Sequence, residues 1–160
     1  MRSAINAQIR EELDSAYLYL GLSAYMDGLN LRGCAHWLRM QWQEEIQHAL
    51  KFLDFLLQRN CEVELKALAA PAFSAKTPLE IFELVLAHEC HITACIHELY
   101  ALAVVEHDYA SQTLLQWFIT EQLEEEQSAR DIIDDLRLAG DSGASLLLLD
   151  RELAARQAED

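Results

Sequence analysis

The chain has 160 residues, 52% of them apolar, with 27 acidic side chains against 12 basic ones and a net charge of −15. That length supports one domain with a sizeable core. The acidic balance argues against nucleic acid or an anionic membrane as a partner, because both are bound through Lys and Arg.

Only five Gly and two Pro interrupt the sequence, and its helix-forming Ala, Leu, Glu and Gln predict an all-α fold. A first helix is expected over about residues 3–25 from its periodicity. Asp27-Gly28-Leu29-Asn30 reads as a break, with Gly33 close behind. A second helix is expected over about residues 32–59. Pro71 and Pro78 both fall in the next stretch, with Ser74 and Thr77, so a long connection follows. Thr77-Pro78-Leu79-Glu80 is a helix start, with Thr as N-cap and Pro at the first helical position. The third helix is expected over about residues 78–106 and the fourth over about 109–138, joined by a corner at His107-Asp108. Gly140 ends the fourth, and a short fifth, over about 144–155, carries Leu146 to Leu149. Two antiparallel hairpins joined by a long segment make a four-helix bundle with one crossover, all in one domain over residues 1–160. The fifth helix is apolar enough to pack against the bundle or another subunit.

No apolar run approaches the roughly 18 residues that a membrane span requires. Asn6, Gln8, Arg10, Glu11 and Glu12 break any apolar core of a signal peptide, which predicts a cytoplasmic protein. Cys34, Cys61, Cys90 and Cys95 form no CxxC pair and are expected as free thiols.

Each long helix has a stripe that should be buried. In the first it reads Ile5, Ile9, Glu12, Ala16, Tyr19; in the second Cys34, Leu38, Gln41, Glu45, His48, Phe52, Phe55. In the third it reads Phe82, Val85, Glu89, Ile92, Ile96, Tyr100; in the fourth Leu115, Phe118, Gln122, Glu125, Ala129, Ile132, Leu136. Every stripe is apolar at both ends and polar in the middle. In an antiparallel hairpin, residues equidistant from the turn lie side by side. A turn centred near residue 30 sets Glu12 opposite His48, and one near residue 107 sets Glu89 opposite Glu125. The ligands within each hairpin then agree in height to within roughly one helical turn. Spacing alone leaves the alignment between hairpins open.

A buried carboxylate costs several kcal/mol unless it is paired, protonated or bound to a cation. Lys and Arg are nearly absent from the stripes, so a salt-bridge network lacks partners. Glu12, Glu45, Glu89, Glu125 and His48 instead suit a two-metal site of iron, manganese or zinc, with oxygen ligands and one nitrogen.

The segments Arg10-Glu11-Glu12-Leu13, Gln43-Glu44-Glu45-Ile46-Gln47-His48, Glu121-Gln122-Leu123-Glu124-Glu125-Glu126 and Leu138-Ala139-Gly140-Asp141-Ser142-Gly143 resemble the signatures of bacterial non-haem ferritins. The resemblance covers nearly the whole chain. It implies iron storage and detoxification, with a ferroxidase centre that oxidises Fe(II) with dioxygen or peroxide and a cage of twenty-four identical subunits. It also implies a fifth helix at the four-fold axis. Di-iron bundles with two Glu-x-x-His motifs are a known pattern. This chain has one, and offers Gln122-x-x-Glu125 in place of the other, which points to ferritin proper over bacterioferritin or rubrerythrin.

By the same resemblance, Glu12, Glu45 and His48 hold a first iron. Glu45 as bridge, Glu89 and Glu125 hold the second, with Gln122 close by. Tyr19 matches a tyrosine beside the centre, although a core aromatic with a satisfied hydroxyl fits the position equally. Glu44, Glu121 and Glu124 match a third iron site on the cavity side; a solvated acidic face has the same pattern. Haem-binding members carry a methionine two positions before the histidine ligand, where this chain has Ile46, so no haem is expected. Three-fold pores lie near the start of the fourth helix, where Asp108 is the one acidic residue between 108 and 115; Glu106, His107 and Asp108 are the candidates for iron admission. His88, His91 and Cys95 share a face of the third helix at a spacing that suits zinc, while scattered surface groups are the simpler reading. A rubrerythrin-type peroxide reductase would need a CxxC domain or an electron-transfer partner, and a bundle that only assembles would leave the buried glutamates unexplained.

Overall fold

Long apolar stripes, side-chain caps and three abrupt turns divide the chain into five helices. The computed structural model describes residues 1–156. Its elements are α1 (Arg2–Gly28), α2 (Arg32–Gln58), α3 (Pro78–Val105), α4 (Tyr109–Ala139) and α5 (Gly143–Leu153). At the start of α3, Thr77 Oγ1 accepts from the Glu80 amide at 3.2 Å, and Glu80 accepts from the Thr77 amide at 3.1 Å. This reciprocal box satisfies two amides that have no partner inside the helix. Asp108 caps α4 by accepting from the Ser111 amide at 3.2 Å, and Ser142 caps α5. Asn30, Asn60 and His107 follow the first three helices in the left-handed region, which reverses the chain.

α1 continues through Gly28, past the break expected at residue 27. The residue that leaves helical geometry is Asn30, with φ of 61°, so the glycine is not the terminator. Gly33 is not a turn residue either. It lies in the first turn of α2, where a Cβ would fall 1.5 Å from the Asp150 carbonyl oxygen, so it allows α5 to approach closely. The Asp150 carboxylate then accepts from the Cys34 amide at 2.9 Å and caps α2 from a distant part of the chain.

The irregular stretch 61–76 runs beside α1. Asn6 donates to the Glu62 carbonyl and accepts from the Glu64 amide. Farther along, Tyr25 meets Phe73 edge-on at 5.7 Å. This path carries the chain back along the bundle before α3 begins. α3 therefore runs antiparallel to α1: Ser15 meets His88, while Glu11, one turn earlier, meets His91. α4 runs antiparallel to α2, with Gln41 at Glu125 and His48 at Glu121.

Two apolar clusters fill the bundle. One holds Tyr19, Leu22, Met26, Trp37, Phe82 and Leu136, and receives Leu149 and Leu153 of α5. The other holds Ile5, Ile9, Phe52, Ile96, Leu115 and Phe118. The polar middles of the four stripes lie between them. No helix among the described residues is long and apolar enough to cross a membrane.

Candidate metal centre

Each long helix contributes to the layer between the apolar clusters. Glu12 comes from α1; Gln41, Glu45 and His48 from α2; Glu89 from α3; Gln122 and Glu125 from α4. All are no more than 5% exposed. Ligand atoms of Glu12, Glu45 and His48 lie within 4.8 Å of one another, and so do those of His48, Glu121 and Glu125. Glu89 belongs to neither group. Its carboxylate accepts from the Tyr19 hydroxyl and, at 3.2 Å, from the Gln122 amide. Contacts between hairpins set their relative height: Tyr19 of α1 reaches Glu89 of α3, and Gln41 of α2 donates to Glu125 of α4 at 2.7 Å.

Two buried carboxylate oxygens, Glu12 Oε2 and Glu45 Oε2, have no hydrogen-bond partner. Such groups carry the full cost of desolvation, of order 1–3 kcal/mol or more for charged groups. A hard or borderline cation removes that cost, so the donor set fits a metal ion.

Residues 2–139 match the family described as a ferritin-like domain. The chain belongs to the ferritin family. It is 36% identical over 156 residues to the bacterial non-heme ferritin of Bacteroides fragilis, covering 98% of this chain and 97% of the relative. It is 36% identical over 149 residues to a probable bacterial non-heme ferritin-like protein of Haemophilus influenzae, covering 93% and 90%. Among solved structures, the open pore ferritin of the archaeon Archaeoglobus fulgidus matches with a TM-score of 0.96 and 46% identity, over 98% of this chain and 97% of that one. A humanized archaeal ferritin matches with a TM-score of 0.98 and 44% identity, over 100% and 97%. Iron storage is the function that comes with this membership.

The electrostatics of the ferritin layer follow from its burial. Desolvation, followed by the charge of Glu45, pushes the Glu12 carboxyl well above its ordinary value. Desolvation, followed by Glu89 and Glu125, does the same to Glu45. Glu125 is raised to about 8 by burial and by Glu89. Burial raises Glu89 too, although Tyr19 and Gln122 partly stabilise its anion. Burial alone would lower His48, but the hydrogen bond to Glu121 and the charges of Glu12 and Glu125 outweigh it and raise the imidazole. Burial and the Glu89 charge keep the Tyr19 phenol protonated. Without a cation the layer holds extra protons, and a metal ion displaces them.

The acidic trio Glu44, Glu121 and Glu124 lines one small recess with Glu125 and Ser128. Glu121 Oε1 is 3.8 Å from His48 Nε2, and Glu124 is exposed. One cation reaches this edge from outside the stripes. Arg156 donates to Glu44 at 2.8 Å and also to Gln41 Oε1. Sequence reasoning missed it because Arg156 follows the last helix and shares no periodic pattern with its partners. It also missed Gln8, one turn before Glu12 on the same helix, which donates to Glu12 at 2.8 Å. That i, i+4 spacing was a signal that could have found Gln8.

Other candidates have structural partners. His88 lies 2.7 Å from the Ser15 hydroxyl and edge-on to Tyr19. Burial, with the charge of His91, lowers it to about 4, so it is neutral near pH 7. His91 pairs with Glu11 at 3.2 Å, and Cys95 Sγ is 3.6 Å from His91. Among the described residues, His88, His91 and Cys95 do not converge as a three-ligand group. Asp108 is occupied by its cap and by Arg59 at 2.6 Å, and Glu106 by the N-terminal ammonium at 2.9 Å.

Proposed function

We propose that this chain is a ferroxidase that assembles into a hollow shell of twenty-four identical subunits and stores the ferric product inside. The observation that carries the reading is the buried layer of four carboxylates and one imidazole, in which Glu12 Oε2 and Glu45 Oε2 accept no hydrogen bond and Glu45 Oε2 lies 3.5 Å from His48 Nδ1. Iron is the substrate. Glu12, Glu45 and His48 take one ferrous ion; Glu45, Glu89 and Glu125 take the second, with Gln122 beside it. Two ferrous ions lose one electron each. Dioxygen accepts both with two protons and leaves as hydrogen peroxide, or hydrogen peroxide accepts them with two protons and leaves as two waters. Carboxylates favour the higher charge of the ferric product, which makes oxidation easier. Tyr19 holds the Glu89 carboxylate through its hydroxyl. Glu44, Glu121 and Glu124 form a third, weaker site toward the interior.

The relative from Archaeoglobus fulgidus is an open pore ferritin. A wide opening of that kind fits a chain whose stretch 108–115 has one acidic residue, already used as a helix cap.

The test adds ferrous iron in air to the purified protein and follows iron through size-exclusion chromatography. Iron should co-elute with a very large assembly; iron eluting apart from protein defeats the storage reading. Glu45→Ala should slow initial oxidation by at least about 100-fold, beyond the 10–100-fold typical of residues behind a ligand, with assembly intact. Unchanged initial rates would refute the bridging role of Glu45.

A further inference from the structure

The inner edge of the centre is acidic, yet the chain supplies a cation to it. Among the residues lining the recess of Glu44, Glu121, Glu124, Glu125 and Ser128, Arg156 is the single basic one. The volume left there is about 10 Å³, no more than the space of one water.

Several features of the fold deliver this arginine. Gly33 lets the Asp150 backbone approach α2, and the Asp150 carboxylate caps that helix at Cys34. α5 ends at Leu153, which is buried in the core. Three residues later the Arg156 carbonyl accepts from His36 Nε2 at 2.8 Å, and its guanidinium lies 4.6 Å from the centre of the Trp37 ring. One guanidinium nitrogen donates to Glu44 at 2.8 Å and another to Gln41 Oε1. Gln41 in turn donates to Glu125 at 2.7 Å. Two hydrogen bonds from the charged guanidinium and a ring contact thus hold one side chain that is 19% exposed, and its backbone is anchored beside them.

We propose that Arg156 is a tethered cation that plugs the acidic recess, so that a metal ion enters the site of Glu44, Glu121 and Glu124 only when the Arg156 segment withdraws. This inference rests on the metal-centre reading above and adds a gate to it. Arginine and a divalent ion compete for the same carboxylates, and their like charges oppose joint occupancy of so small a space. The affinity of the recess for metal is then lowered by the fraction of subunits in which the arginine is out.

The experiment uses zinc, which does not turn over, in equilibrium dialysis of the full assembled chain. The wild type should take up two zinc ions per subunit tightly and a third weakly. Arg156→Gln should bind the third about tenfold more tightly, the factor for loss of roughly 1.4 kcal/mol of competition, and leave the first two unchanged. Arg156→Lys keeps the charge but loses the fork, and should fall between them. Adding Glu124→Gln to Arg156→Gln should remove the gain. A third affinity equal in wild type and Arg156→Gln overturns the plug while leaving the centre standing. Absence of the first two tight ions in the wild type overturns the metal-centre reading, and the plug with it.

Discussion

The apolar clusters and the polar layer between them are built from the same four helices and are equally buried, but they hold the bundle together in opposite ways. In the apolar region Phe52 and Phe118 stack with ring centres 4.0 Å apart, and Trp37 meets Phe82 at 5.2 Å. These contacts satisfy one another and require nothing from outside. In the polar layer, carboxylates raise each other's protonation and two of their oxygens accept no hydrogen bond. The layer is completed only by protons or by cations. The contrast teaches that the fold's stability comes from its ends, while the middle gives up stability for binding.

The largest expected effect tests the apolar side. Phe52→Ala removes a fully buried ring from its stack on Phe118. Metal-free stability should fall by roughly 3–5 kcal/mol, as for other buried aromatic truncations, measured by denaturant melts. Metal uptake at pH 7 should persist wherever the variant remains folded. A small loss of stability would mean that the apolar layers do not carry the bundle.

The opposite response is expected in the middle. Glu125 has its carboxyl raised to about 8 from an ordinary value of 4.5. Between these values the folded chain keeps a proton that the unfolded chain has released. Stability of the metal-free protein therefore falls as pH rises through that window, and is greatest below it. Glu12, Glu45 and Glu89 are shifted in the same direction and steepen the fall. Glu125→Gln keeps the shape and cannot ionise. It should raise metal-free stability at pH 8, within the roughly 1–4 kcal/mol seen when buried charges are replaced, and so raise the melting temperature there. It should make little difference near pH 4. Added zinc should stabilise the wild type more at pH 8 than at pH 5, because protons no longer compete. A wild-type melting temperature that climbs from pH 5 to pH 8 without metal would contradict the raised carboxyls.

The same contrast explains what the sequence could show. Apolar ends and polar middles repeat at a helical period, so the fold class and the stripe positions were readable, and every stripe residue from Ile5 to Leu136 is buried except Phe55 and Tyr100, which are partly so. Counting from the turns placed Glu12 beside His48 and Glu89 beside Glu125. The height of one hairpin against the other depends on the crossover, whose course is set by Asn6 gripping the backbone at Glu62 and Glu64. No periodicity encodes that grip. Arg156 and Asp150 were invisible for a related reason: each acts on α2 across more than a hundred residues, on a close approach of α5 that Gly33 allows by having no side chain.

The smallest effect concerns the boundary between the regions. Tyr19 has its ring in an apolar cluster and its hydroxyl on Glu89. Tyr19→Phe removes only the hydroxyl, so packing is kept and one hydrogen bond to a centre carboxylate is lost. Such a bond contributes about 0.5–1.5 kcal/mol, or up to roughly tenfold in a rate or affinity. If Tyr19 serves the core alone, removing the hydroxyl leaves zinc affinity and ferrous oxidation unchanged. If it orients Glu89, the second ion should bind a few-fold more weakly and oxidation should slow by a similar factor, while the first ion, at Glu12, Glu45 and His48, binds as before. The split between the two ions separates the roles, because a general packing defect would weaken both.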